Sequence, residues 1–286
     1  MLELPELDII RERLRPALIG RRVSGMLLLQ RMVMMSQAVP LESLRSTYVN
    51  NIVRLGQHLT FGFSTGLYLD LDFTRGGRLE LVQSGPTHSG SGCLVIQFEG
   101  HAGICATDQN RPPRLAVYLV QDLDTVPHRT GPGLDPLSPA FTLNRFTALL
   151  SRRNRPVRHV LTDKRVLVGI GSAYADEILF EARLSPFQTT LELKPEMVIR
   201  FYSALKKVLG AAILHHRSLA QNHLPNESDR LFLKVHRRQG EPCLRCGTPI
   251  RLVRDGRLVT SYCPGCQTEG QLLADRGLPA ASAGNP

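Results

Sequence analysis

The 286-residue chain has no long apolar run, few cysteines and a shortage of acidic side chains. A membrane-spanning helix needs roughly 18 or more consecutive apolar residues, and no segment of the sequence approaches that length. Residues 1–30 also lack the basic start, apolar core and small-residue cleavage site of an export signal. We therefore expect a soluble, cytoplasmic protein whose thiols are kept reduced.

Acidic residues are outnumbered by basic ones, 25 against 35, which gives a formal net charge of +10. The excess is concentrated in two runs, residues 152–165 and 234–257. A solvated basic face would explain one such run. Two separate runs favour binding to a polyanion, because each neutralised phosphate releases counterions. The charge distribution thus predicts nucleic acid as the partner.

Four of the six cysteines form two Cys-x-x-Cys pairs, separated by residues 247–262. Each pair can direct two sulfurs to one centre, and a hairpin between the pairs would bring all four sulfurs around one Zn²⁺. Two disulfides would instead need an oxidising compartment. The predicted ligands of one structural zinc are Cys243, Cys246, Cys263 and Cys266. We expect the other two cysteines, Cys93 and Cys105, to be free and buried.

The chain divides into segments of different periodicity. Residues 5–18 repeat apolar side chains at helical spacing and begin with Pro5, which suits the first turn of a helix. Between residues 22 and 122, glycines separate short strand-like runs, a pattern typical of a β-sandwich. A linker rich in proline and glycine follows at 126–140. The predicted helices beyond it are 141–151, 156–163, 173–183 and 194–215.

These segments predict an α+β protein of several domains. Within its helical part, Gly169 and Gly171 come just before a helix, where backbone N–H groups and the helix dipole can bind a phosphate. A tight turn alone would explain two glycines, but the basic run before them favours a nucleic-acid backbone. The predicted boundaries are 1–125 for a helix and β-sandwich domain, 126–140 for the linker, 141–234 for a helical domain, 235–268 for a zinc finger and 269–286 for a disordered tail.

Three stretches carry longer motifs: residues 2–7, residues 161–177, and residues 235–250 together with 262–266. Together they resemble the formamidopyrimidine-DNA glycosylase and endonuclease VIII family, and the resemblance covers about residues 1–268. It implies an N-terminal helix on a β-sandwich, a helix–two-turns–helix domain and a four-cysteine zinc-finger hairpin that enters the DNA minor groove. It also implies excision of a flipped-out base, in which the amine of an N-terminal proline attacks C1′ and forms a Schiff base.

When the family's functional residues are matched one by one to this sequence, two carboxylates are present and two amines are replaced. Glu3 matches the catalytic carboxylate, and Glu6 matches a second acidic position that also favours a helix start. Leu2 replaces the family's proline. Since leucine at this position disfavours removal of Met1, we expect the amine to be displaced by one residue. The lysine of the family's β-hairpin is Gln57 here, which carries no charge.

The positions that contact DNA in the family are better kept. Arg158 stands for a lysine, and Ser172 stands for an asparagine and can still donate a hydrogen bond to a phosphate. In the finger, the expected arginine falls on Leu258, with Arg257 one residue away, and Arg111 matches the loop that intercalates. The predicted DNA-binding residues are Arg158, Gly169, Gly171, Ser172, Arg257 and Arg111.

Three hypotheses follow. The first is a monomeric DNA glycosylase that binds damaged duplex DNA and excises a base by hydrolysis assisted by Glu3, with AP-lyase activity weak or absent because neither amine is in place. The second is a catalytically weakened protein that binds lesions or abasic sites. The third, a zinc-ribbon protein that binds RNA, explains the basic charge but not the N-terminal motif.

Overall fold

The computed structural model describes residues 1–36, 38–83, 90–100, 102–127, 129, 132–152, 154–221 and 223–277. The chain separates into two compact units. The first consists of Met1–Pro132 and Gly210–Arg230, and the second of Gly133–Leu209 and Leu231–Pro286. No helix among the described residues has the length and apolar character needed to cross a lipid bilayer.

Helix α1 (Leu4–Leu18) begins the first unit and confirms the helix predicted at 5–18. Pro5 lies in the first turn, where its missing N–H leaves no hydrogen bond unmade. Gly20, with φ of 76°, turns the chain just after the helix ends. The face that α1 buries in the core of this unit consists of Leu7, Ile10, Leu14 and Leu18.

Two antiparallel four-stranded sheets complete the first unit. The strands found among the described residues are β1 (Val23–Leu28), β2 (Val49–Leu55), β3 (His58–Phe63), β4 (Tyr68–Asp72), β5 (Arg78–Gln83), β6 (Gly92–Phe98), β7 (Ala102–Thr107) and β8 (Ala116–Val120). One sheet has the order β1-β6-β7-β5 and the other β2-β3-β4-β8. Apolar side chains of both sheets share one core, including Phe61 and Leu69 from one and Ile96 and Phe98 from the other. The predicted β-sandwich is confirmed.

The second unit is helical, with a hairpin near its end. Its helices and strands are α2 (Leu143–Ser151), α3 (Val157–Thr162), α4 (Ser172–Ala182), α5 (Pro195–Leu219), β9 (Arg251–Asp255), β10 (Leu258–Tyr262) and α6 (Pro264–Gln267). The last part of α5, from Gly210, belongs to the first unit. The four predicted helices are confirmed, and α5 extends beyond its predicted end at 215.

The tail predicted to be disordered from residue 269 needs a correction. Arg276 forms a parallel bridge with Asp255 of β9, so the chain is held against the hairpin almost to residue 277. The small, polar composition of the tail led to the prediction of disorder, but β9 offers an open edge whose backbone groups the tail can pair with. Residues 278–286 lie outside the described residues.

Candidate active site and nucleic-acid interface

The two acids singled out at the N-terminus close the start of α1. Glu3 is the N-cap residue, and with Glu6 it forms a reciprocal capping box in which Glu6 Oε2 accepts the N–H of Glu3 at 3.1 Å. Glu3 is 1% exposed and Glu6 0%. Leu2, which precedes them, is part of the hydrophobic core of the first unit. The structure therefore brings Leu2, Glu3 and Glu6 together in the interior of that unit.

A single guanidinium contacts both acids. Arg230 Nε donates to Glu6 Oε1 at 2.6 Å, while its terminal nitrogens donate to Glu3 Oε1 at 3.5 Å and to the carbonyl oxygen of Met1 at 3.2 Å. His216 Nε2 lies 3.1 Å from Glu6 Oε1. Burial disfavours the charged form of Glu6, but Arg230 and His216 outweigh this effect and hold the pKa of the carboxyl well below its ordinary value.

Arg230 and His216 were not among the residues predicted from the sequence. Arg230 follows Glu6 by 224 residues, and no local pattern connects two positions so far apart. One signal was available: an acid at a buried helix position needs a cationic or hydrogen-bonding partner. That rule predicts that a partner exists, but it does not say which of 35 basic residues supplies it.

Gln57 lies in the two-residue turn between β2 and β3, where Leu55 pairs with His58 and Gly56 has φ of 58°. Its side chain is 5% exposed, and its Nε2 donates to the carbonyl oxygen of Leu2 at 2.9 Å. The amino group of Met1 forms an ion pair with Glu227. The position at which the resemblance implies a lysine thus holds a neutral amide that fixes the backbone beside Glu3.

The exposed Arg111 belongs to a loop that Asp108 organises. The carboxylate of Asp108 accepts the backbone N–H groups of Asn110, Arg114 and Leu115 at 2.9, 2.7 and 2.8 Å. Burial opposes ionisation of Asp108, but these hydrogen bonds outweigh it and lower its pKa. The loop therefore has a defined shape that presents Arg111 to solvent.

The four predicted zinc ligands converge in the second unit. All four Sγ atoms lie within 4.8 Å of one another, with 3.9 Å between Cys243 and Cys266 and 3.4 Å between Cys246 and Cys263. Zn–S bonds of about 2.3 Å in a tetrahedral site separate the sulfurs by about 3.8 Å, so the arrangement fits one ion. Four thiolates leave no position for water, which makes the site structural.

The other two cysteines, Cys93 and Cys105, are buried free thiols, as predicted. Burial raises the pKa of each to about 11. A thiol with such a pKa is almost entirely protonated near neutral pH and is a poor nucleophile or metal ligand. We therefore assign neither of them to the site.

Gly169, Gly171 and Ser172 lie at the start of α4. Gly169 has φ of 87°, Gly171 is the N-cap residue in an extended conformation, and Ser172 is the first helical residue and half-buried. The positive end of the helix dipole lies at this start of α4 and favours an anion there. This turn has the backbone geometry that the sequence predicted for a phosphate contact, while the contact itself stays a prediction.

Arg158 is buried, with 1% of its surface exposed. Its Nε donates to Thr260 Oγ1 at 3.0 Å and lies 3.4 Å from Asp176 Oδ1. Neither terminal nitrogen has a hydrogen-bond partner among the described residues. The guanidinium thus connects α3 with α4 and β10. Its predicted role in DNA binding stays a prediction, and it requires a phosphate to reach an enclosed side chain.

Two acidic residues of α4 that were not among the predicted site residues contact the segment before the finger. Glu177 accepts the backbone N–H groups of Lys234, Val235 and His236 at 2.9, 2.8 and 2.9 Å. Burial raises the pKa of Glu177, although these hydrogen bonds oppose the effect. Asp176 Oδ2 lies 2.7 Å from His236 Nδ1. These contacts fix the chain that leads to the first cysteine pair.

At the tip of the finger hairpin, Gly256 and Arg257 form the turn between β9 and β10, because Asp255 pairs with Leu258. Gly256 has φ of 57°, which suits a residue without a side chain. Arg257 is exposed and Leu258 is half-buried. Of the two neighbours considered from the sequence, Arg257 is therefore the one that presents a cation at the tip.

Three family models match the chain. The formamidopyrimidine-DNA glycosylase N-terminal domain matches residues 1–115, the formamidopyrimidine-DNA glycosylase H2TH domain 132–222, and the zinc finger found in FPG and IleRS 240–268. Formamidopyrimidine-DNA glycosylase of Thermus thermophilus is 35% identical over 279 residues, covering 94% of this chain and 100% of the relative. The chain belongs to the formamidopyrimidine-DNA glycosylase family.

Other members of this family agree in sequence and fold. The enzyme of Moorella thermoacetica is 30% identical over 260 residues, covering 89% of this chain and 95% of the relative. The crystal structure of the Thermus thermophilus MutM (Fpg) protein superimposes with a TM-score of 0.78 at 29% identity, covering 94% of this chain and 100% of that one. Lactococcus lactis Fpg in complex with abasic-site DNA has the same fold, with a TM-score of 0.80 at 21% identity and coverage of 93% and 99%.

Proposed function

We propose that this protein is a DNA glycosylase of base-excision repair that removes a damaged base by hydrolysis of the N-glycosidic bond. The observation that carries the proposal is the place of Glu3, which the resemblance matches to the family's catalytic carboxylate and which the capping box and Arg230 fix at the start of α1. Such a carboxylate can activate a water molecule for attack on C1′. The C1′–O bond forms as the C1′–N bond breaks, and the base leaves with the proton that Glu3 took from the water.

Damaged duplex DNA is the proposed partner. Solved relatives carry abasic-site DNA or DNA with carbocyclic 8-oxo-G. In this chain the start of α4 and the exposed Arg257 are suited to phosphate contacts. Flipping of the target nucleotide is required, because the glycosidic bond cannot be reached inside the base stack.

The hydrolytic route is favoured over the Schiff-base route by the residues around Leu2. We propose that Met1 is retained, because Leu2 disfavours its removal; the nitrogen of Leu2 is then an amide, which cannot attack C1′ as a free amine does. Gln57, at the lysine position, offers no amine and donates to the carbonyl oxygen of Leu2. We therefore propose that AP-lyase activity is weak or absent and that the product is an intact strand with an abasic site.

A second function is favoured by the burial of Glu3. With 1% exposure and contacts to the α1 backbone and Arg230, its carboxylate is engaged in holding the fold. A protein that uses Glu3 in this way alone would bind damaged or abasic DNA without excising a base. The two functions differ in whether a base is released.

Single-turnover excision separates them. Duplexes that carry oxidised purines, oxidised pyrimidines or alkylated bases are incubated with excess protein, and base release is measured for the wild type, Glu3→Gln and Glu12→Gln. Glu12 is an exposed acid on the same helix and serves as the matched control. We expect release by the wild type and Glu12→Gln, and a loss of about 100-fold or more in Glu3→Gln, because a positioned general base contributes that much. No release by the wild type from any duplex, together with tight binding to abasic DNA, would favour the binding function.

A further inference from the structure

The chain beyond the zinc finger folds back onto the hairpin. The zinc-finger match ends at residue 268, and Glu269 and Gly270 then turn the chain with φ of 52° and 88°. The N–H of Leu273 donates to the hydroxyl of Tyr262 at 2.8 Å. The side chain of Leu273 joins a small apolar cluster formed by Phe187, Val253 and Tyr262. The segment is thus attached to β9, to β10 and to Phe187 in the loop that precedes α5.

Asp275 and Arg276 pair with the outer edge of β9. The N–H of Arg276 donates to the carbonyl oxygen of Arg254 at 2.9 Å, and the N–H of Gly256 donates to the carbonyl oxygen of Arg276 at 2.9 Å. Asp275 Oδ1 accepts the N–H of Arg254 at 2.8 Å. The tail thus satisfies both backbone groups of Arg254 and the N–H of Gly256, at the part of the β9 edge that lies next to the turn.

Two further contacts fix the end of the segment beside that turn. The guanidinium of Arg276 lies over the ring of Phe187, 4.1 Å from its centroid. Gly277 has φ of 65°, and a Cβ there would lie 3.3 Å from the nitrogen of Gly256. The backbones of Gly277 and Gly256 are therefore in close contact, and Gly256 is the neighbour of Arg257 in the turn.

We propose that residues 271–277, the bracing segment, position Arg257 for contact with the DNA backbone; this inference rests on the proposed binding of DNA. A hairpin of two strands is marginally stable alone, and backbone hydrogen bonds along its open edge stabilise it. The bracing segment holds Gly256 through a backbone hydrogen bond and through the contact with Gly277. An arginine on a pre-organised turn loses less conformational entropy on binding than one on a mobile turn.

The charge of the tail makes the proposal testable. Residues 272–286 contain one acid, Asp275, and one base, Arg276, so their deletion changes the net charge by zero. A loss of DNA affinity on deletion therefore cannot come from a lower overall charge. It must come either from the position of the hairpin or from a direct contact by Arg276.

The experiment compares three proteins: the full chain, a chain that ends at Gly277, and a chain that ends at Gln271. Each is prepared with and without Arg257→Ala, and each binds a duplex with a tetrahydrofuran abasic analogue in a fluorescence anisotropy titration. The chain that ends at Gly277 is the matched control, because it keeps every tail contact described above. We expect it to bind as the full chain does and the shorter chain to bind about tenfold more weakly.

The effect of Arg257→Ala decides between the two causes. We expect it to weaken binding about tenfold in the full chain and less than about twofold in the chain that ends at Gln271, because the contact is already lost there. Amide hydrogen exchange at Arg254 and Gly256 should also be faster in the shorter chain. If that chain loses its zinc, Arg276→Pro provides the same comparison at full length, since proline lacks the N–H donated to Arg254.

Equal affinity of the full and the shortest chain would overturn the proposal. The proposal would also be overturned if the losses of binding free energy caused by the deletion and by Arg257→Ala were additive. Additive losses would mean that Arg276 contacts DNA independently of Arg257. A full chain that does not bind the duplex would overturn the proposed function and this inference with it. Binding with the same affinity in all three chains would overturn this inference alone and leave the proposed function standing.

Discussion

At the scale of single residues, Arg230 is the side chain on which the start of α1 depends most. It contacts Glu6, Glu3 and the carbonyl oxygen of Met1, and Glu6 is completely buried. A buried ion pair adds little net stability over an apolar pair, but removal of one partner leaves an uncompensated charge inside the protein. Mutating Arg230 should therefore lower the free energy of unfolding by much more than the ion pair contributes to it in the wild type.

We predict that Arg230→Ala lowers the free energy of unfolding by about 3–5 kcal/mol, the cost of leaving a buried carboxylate without its partner. Arg217→Ala is the control, because Arg217 forms an exposed pair with Glu12, and such pairs contribute at most about 1 kcal/mol. Urea unfolding of the wild type and the two variants measures both values. Equal losses in the two variants would contradict the account.

The carboxylate of Asp163 should make the free energy of unfolding depend on pH. Burial opposes its ionisation, but hydrogen bonds from Arg165 and Arg155 outweigh this and lower its pKa from 3.8 to about 2. A lowered carboxyl pKa stabilises the folded state at pH values above the unfolded pKa, and this stabilisation is lost as the pH falls towards the folded pKa. We expect wild type to be more stable than Asp163→Asn above about pH 5 and the difference to shrink towards about pH 2. A difference that is constant over this range would show that the charge of Asp163 is not the cause.

At the scale of elements, the zinc finger depends on its four sulfurs and on the chain before and after them. Val235, Ile250 and Phe180 pack with Cys243 and Cys263 in one small core. A core of this size does not keep a hairpin folded without a metal ion. Loss of one ligand should therefore affect the hairpin of β9 and β10 as a whole.

We predict that Cys263→Ala lowers the zinc content and weakens binding to an abasic duplex, because three ligands cannot complete a tetrahedral structural site. Cys105→Ala, which removes a buried thiol in β7, should leave both properties unchanged. Zinc is measured by its release to a chromogenic chelator and binding by anisotropy. Full zinc content and unchanged affinity in Cys263→Ala would refute the assignment of this ligand.

Elements that depend on local patterns could be predicted, and contacts between distant residues could not. The apolar repeat of residues 5–18 and the two Cys-x-x-Cys pairs are visible over a few turns of chain, so α1 and the zinc site were confirmed. The partner of Glu6, the burial of Arg158 and the pairing of Arg276 with β9 depend on residues 18 to 224 positions away. The prediction of disorder from residue 269, which rested on composition, was wrong because the tail pairs with the open edge of β9.

At the scale of the whole molecule, the chain keeps the architecture of its family, and we propose that its chemistry at the N-terminus differs. The three family models match residues 1–115, 132–222 and 240–268, which include most of the sandwich, the helical domain and the finger. Leu2 and Gln57, at the positions where the resemblance implies a proline and a lysine, make contacts that lie within the fold. This combination is the basis of the central claim, which is base excision by hydrolysis and without a covalent intermediate.

The most direct test uses the duplex from which the protein releases its base fastest. One portion of a single-turnover reaction is treated with borohydride, which reduces a Schiff base to a stable protein–DNA adduct, and another is heated in alkali, which breaks the strand at an abasic site. The intact mass of the protein shows whether Met1 is present. We predict released base, a strand that breaks only after alkali, and no adduct. An adduct with borohydride, or a broken strand before alkali, would contradict the hydrolytic route.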